Sequence, residues 1–207
     1  MFNNCLDAEK EFENCWSNPN YTAIELDDVD VNQALAHYKL QKPLHFTKTM
    51  LWDMEMKKSW NPGAYIPYVL KQGSAKAWGK KPDSKTGGDI FVRSSAQRTW
   101  LDPEVYEDVY EEVYVNNQRQ LITFLGVKTL EGASKILNPS QPIFHVQHGA
   151  SGPEDQPRNT WRIVHLTPKK DPEMIKRFEA MNDPTKLPGF IENYIKNDLR
   201  IGIEKSL

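Results

Sequence analysis

From residue 46 to residue 56 the chain alternates. Phe46, Met50, Trp52, Met54 and Met56 fall on one side, and Thr47, Thr49, Asp53 and Glu55 on the other. A period of two predicts a half-buried strand. Residues 74–80 and 89–101 read as two further strands, joined by a loop at 81–88 whose proline and glycines suit a hairpin. The acid-rich patch carrying Tyr106, Tyr110 and Tyr114 passes into a strand that turns at Asn116-Asn117. Residues 120–130 form the most apolar strand. There Leu121, Thr123, Leu125 and Val127 alternate with Ile122, Phe124 and Gly126, so apolar groups lie on both faces, as a central strand requires. Residues 142–148 and 160–167 make a last antiparallel pair around the polar loop 149–159.

Helical spacing brackets these strands. Residues 7–16 predict a short helix, and a second starts near Asp28 and runs through Val31, Leu35 and Tyr38 until Pro43 stops it. Asn61-Pro62 opens one or two helical turns. Asp171 caps a helix over 172–181. From Leu187 onward Phe190, Ile191, Tyr194, Ile195 and Leu199 recur at three and four, the stripe of one long closing helix. The expected class is α+β: a curved antiparallel sheet gripping a long C-terminal α-helix. An N-terminal helical extension (1–43) precedes the main domain (44–207). A sheet closed by one helix encloses a cavity between the two layers.

Charge narrows the partners. Lys and Arg number 26 against 28 Asp and Glu, a difference of −2, and no basic cluster suited to a phosphate backbone is present, so nucleic acid is not expected. No apolar run approaches the roughly 18–20 residues of a membrane span, and the first residues lack a leader pattern. A cytoplasmic protein is expected. Cys5 and Cys15 have no CxxC spacing and read as reduced thiols.

The layout, together with Trp60-Asn61-Pro62, Tyr65-Ile66-Pro67 and Leu187-Pro188-Gly189-Phe190-Ile191, resembles the START-like helix-grip superfamily of lipid-transfer domains, Bet v 1 relatives and polyketide cyclases. The likeness runs from about residue 44 onward. It implies binding of a lipid, sterol or aromatic polyketide without a cofactor. A related hydrolase branch holds zinc with histidines and glutamates, and this chain has no His/Glu pair at helical ligand spacing, so no metal is expected.

Candidate chemistry is sparse. His145 and His148 differ by three, which puts them on opposite faces of a strand; His145 and His165 face each other if the hairpin register pairs them. In the strand at 89–101, Ser94, Ala96, Arg98 and Trp100 share one face. Arg93, Ser95, Gln97 and Thr99 share the other, a polar face that looks either at solvent or at the floor of a pocket. The expected ligand site is lined by Trp52, Trp100, Phe124, Trp161 and Tyr194, with His145 or Arg98 as polar anchor. No nucleophile with an adjacent base stands out, so a binding module leads. A cofactor-independent enzyme of the cyclase, aromatase or hydrolase type using the same cavity is the alternative.

Overall fold

The computed structural model describes residues 1–99, 104–133, 137 and 143–206. Helix α1 (Cys5–Trp16) is followed by strands β1 (Thr22–Glu25) and β2 (Val29–Asp30), helix α2 (Val31–Leu35) and strand β3 (Tyr38–Leu40). Helices α3 (Lys48–Trp60) and α4 (Pro62–Tyr65) lead into β4 (Lys76–Asp83), β5 (Gly88–Arg98), β6 (Tyr106–Asn116), β7 (Leu121–Val127), β8 (Phe144–Ser151) and β9 (Arg158–His165). Helices α5 (Pro172–Glu179) and α6 (Gly189–Asn197) and strand β10 (Ile203–Lys205) complete the described chain.

The architecture is α+β, with a large antiparallel sheet and short helices. Strand order in the main sheet is β1-β9-β8-β7-β6-β5-β4, with β2 also on β9, and every pairing is antiparallel. From β4 to β9 neighbours in sequence are neighbours in space, as hairpin connections dictate. Strand β7 sits in the middle of this order. Residues 22–30, from the stretch expected as an extension, supply two strands to the sheet. No helix among the described residues is long and apolar enough to cross a membrane.

Both faces are covered. Phe91, Val113, Phe124 and Val146 point to α3 and α6, whereas Ile90, Tyr114, Leu125 and Val164 point to α1. Alternation along each strand sorts the two sets, and each large apolar side chain so buried contributes about 1.5–3 kcal/mol. Helix α5 covers a further part of the α3 face, packing Met174 and Phe178 with Ile24 and Ile163.

Three expectations are corrected here. The segment at 46–56 is not a strand. Thr47 caps helix α3, its hydroxyl accepting from Met50 N at 3.1 Å, and the buried positions Leu51, Met54, Glu55 and Lys58 recur at three and four. Because two of those are charged, hydrophobicity alone displayed a period of two, while the run of Lys, Met, Leu and Glu favours a helix throughout. Nor is there a long closing helix. Helix α6 has 9 residues and ends at Asn197, with Asp198 as its C-cap; Arg200 then takes a left-handed φ of 57°, and the chain extends into β10, which pairs with β3. Helices α3 and α6 together occupy the face that α6 alone was expected to fill. The helix expected from Asp28 likewise shortens to α2, capped by Asp30, before the chain enters β3.

Candidate functional site

Helix α3 carries two charges into the interior. Glu55 is fully buried and Lys58 is 3% exposed, one turn apart on the side facing β8. The Lys58 ammonium donates to Glu55 Oε1 at 2.9 Å, lies 2.7 Å from Oε2, and donates to His148 Nδ1 at 2.7 Å. Asn159 Nδ2, from β9, donates to Glu55 Oε1 at 2.9 Å. The register that sets Ala150 opposite Asn159 and His148 opposite Trp161 brings these groups onto one face. Each buried charge therefore has partners from two directions, the condition under which burial is tolerated.

The surroundings sharpen the electrostatics. Lys58 Nζ lies 3.7 Å from the centre of the Phe190 ring, and Phe124, Trp161 and Phe190 surround the His148 imidazole at 5.2–6.0 Å. Burial pushes the Lys58 ammonium down to about 8 against the attraction of Glu55. Burial and the Lys58 charge push His148 down to about 4, so the ring is neutral and free to accept from Lys58. For Glu55 burial acts upward, but Lys58 and His148 outweigh it and hold the carboxyl at about 2.

A second buried ion pair adjoins the first. Arg93 of β5 donates from Nε to Glu111 Oε2 of β6 at 2.6 Å and from a terminal nitrogen to the Ser59 carbonyl at 3.1 Å, with its guanidinium 4.3 Å from the centre of the Phe124 ring. Glu111 is also part of the wall of a cavity of about 280 Å³. The wall is mainly apolar, with Val109, Val146 and Ile163 from the sheet and Met174 from α5; Gln97, Arg98, Thr99, Glu107 and His165 add polar groups. The polar face of β5 is thus turned inward. Arg93 and Ser95 are buried on it, and Gln97 and Thr99 reach the cavity.

The expected site residues separate. Of Trp52, Arg98, Trp100, Phe124, His145, Trp161 and Tyr194, Arg98 lines this cavity, and Trp100 lies outside the described residues. Trp52, Phe124 and Tyr194 belong to the packed core under α3 and α6, where the Tyr194 hydroxyl donates to Asp53 at 2.8 Å. Trp161 stands beside His148. His145 is on the opposite face: it pairs with Val164, while His165 pairs with Phe144, so the two imidazoles do not meet. The sequence gives no sign of Glu55, Lys58 or Glu111 as site residues, whereas Arg93, His148 and His165 stand among its candidates. Opposite-face parity had already turned His148 away from His145, and the inward polar face of β5 was the other usable signal.

On the α1 face, donor atoms of Glu11, Cys15 and His145 lie within 4.8 Å of one another. His145 Nδ1 accepts from Gly126 N at 3.1 Å, which leaves the proton of the neutral ring on Nε2. A metal-binding histidine has the reverse polarity, donating from its second nitrogen. This trio is poorly matched to a cation.

No family model matches the chain, and no curated protein matches it. Among solved structures it is similar to a truncated norcoclaurine synthase from Thalictrum flavum, at 10% identity over 88% of this chain and 98% of that one, with a TM-score of 0.45. It is also similar to a Nitrosomonas europaea protein, at 13% identity over 78% of this chain and 96% of that one, with a TM-score of 0.37.

Proposed function

We propose that this protein binds a small, largely apolar molecule in the cavity between the sheet and α5. The observation that carries the reading is the cavity itself: about 280 Å³ with mostly apolar walls, beside a carboxylate anchored by a buried arginine. Such a volume is close to the lower end of ordinary ligand pockets, roughly 300 Å³, and suits a mono- or bicyclic compound more than a sterol. Side chains of α3 and α6 pack on the face where the cavity was expected, and this reading takes the cavity beside α5 on the same face instead. A second reading places catalysis in the same cavity, because Glu111 and His165 put two titratable groups on its wall.

Thermal unfolding across a panel of small apolar compounds tests the binding reading. A ligand at a hundred times its Kd stabilises by about 2.7 kcal/mol, or roughly 5–10 °C in a chain of this size. Val146→Phe, which fills the cavity, should abolish the shift. A panel that leaves the midpoint unmoved would remove the reading's support.

A further inference from the structure

We infer that the molecule held in this cavity carries a hydroxyl on an apolar frame, as a phenol or alcohol does, and no carboxylate. The inference rests on the binding reading above and narrows its ligand class.

Two polar atoms define the demand. The His165 ring is stacked on Phe144, with centroids 4.2 Å apart and planes 11° from parallel, and the residue is 8% exposed. Its Nδ1 is buried with no hydrogen-bond partner among the described residues. An unpaired buried nitrogen is costly, and a bound molecule that pairs with it recovers that cost. Burial also lowers the imidazole's pKa, so the ring offers a neutral nitrogen. Whichever tautomer it adopts, a hydroxyl can answer it, since a hydroxyl both donates and accepts.

The second atom sets the charge. Glu111 gives one carboxylate oxygen to Arg93, and the other takes no hydrogen bond from a described residue, leaving an acceptor on the cavity wall. Arg93 is already engaged by Glu111 and the Ser59 carbonyl. Among the described residues of the wall the remaining cation is Arg98, which lies 3.7 Å from Glu104 and against Tyr106, at a solvent-exposed position. Glu107 adds a further negative charge. A ligand carboxylate would meet repulsion from Glu111 and Glu107, whereas a hydroxyl proton finds acceptors.

The test compares three bicyclic probes by calorimetry: 2-naphthol, naphthalene and 2-naphthoate. 2-Naphthol should bind about tenfold more tightly than naphthalene, and 2-naphthoate should bind weakest. His165→Phe, which keeps the stack on Phe144, should bring 2-naphthol and naphthalene to equal affinity. Should that variant not fold, the ¹⁵N resonance of His165 Nδ1 in the wild-type protein must still shift with 2-naphthol and stay in place with naphthalene. Equal wild-type affinity for the two, or tightest binding of 2-naphthoate, overturns the inference and leaves an apolar binding cavity standing. Failure of all three probes to bind overturns both.

Discussion

Replacing His148 with Gln should remove a defined part of the protein's acid sensitivity. In the folded state the imidazole resists protonation until about pH 4, and its ordinary value is 6.5. Between those limits the unfolded chain binds the proton and the folded chain does not, so unfolding becomes easier as pH falls. The contribution is nil above pH 6.5 and fully present below pH 4. At about 1.36 kcal/mol per pH unit, the interval from 6.5 down to about 4 corresponds to a loss of about 3 kcal/mol by pH 4. Glu55 titrates later, because its depressed value of about 2 confines its loss to pH below its ordinary 4.5. Lys58, pushed down to about 8, acts only in alkaline solution, where stability rises with pH from about 8 to 10.5. His145 and His165 are also lowered by burial and act in the same direction as His148, so the informative quantity is a difference between proteins. Glutamine keeps an acceptor for Lys58 and has no titration of its own. Urea unfolding at pH 7 and pH 4 should show the wild-type midpoint falling further than the variant's, by roughly 1–3 M for urea slopes of about 1–3 kcal/mol per molar. Parallel falls in the two proteins would refute the assignment of the buried cluster as the origin of the effect.

Other outcomes follow from the same packing. Lys58→Met should cost about 3–5 kcal/mol by stranding the Glu55 carboxylate, and adding Glu55→Leu should recover most of it; a double-mutant cycle in urea measures the recovery. Phe190→Leu removes the ring under the ammonium and should lower the Lys58 pKa further, as read by NMR titration of its Cε proton resonances. Gly88→Ala would set a Cβ 1.7 Å from the Val115 carbonyl oxygen and should prevent β5 from pairing, with loss of cooperative unfolding. Gly73→Ala, at a φ of +73° in open space, should cost only about 1 kcal/mol.

Strands β4 to β9 were legible because their flanks are written in local chemistry. Turn residues mark their ends, and β7, buried on both faces, shows apolar residues at successive positions. Helix α3 was not legible as a helix, since Glu55 and Lys58 interrupt its apolar stripe and the alternating methionines imitate a strand. The buried cluster was hidden for the same reason. Glu55 and His148 lie 93 positions apart, and only the packing of α3 on β8 shows that each is the other's neighbour. The parity rule separated His145 from His148 correctly, but the hairpin register, which decides between Val164 and His165 as the partner of His145, is set by pairing and turn geometry that side-chain alternation does not encode.

The buried cluster also bears on how the sheet finds its pairing. A slip of β8 by one residue would turn His148 toward α1 and away from Lys58, and the same slip of β9 would take Asn159 from Glu55. Such a slip also turns the strand's apolar set to the other face, and the two sequestered charges add to that cost, because each would lose its buried partners. Helix α3 can settle on the sheet only when its acceptor and donor partners arrive on the correct side, so the cluster acts as a proofreader, leaving misaligned hairpins with an undocked helix and free to reopen.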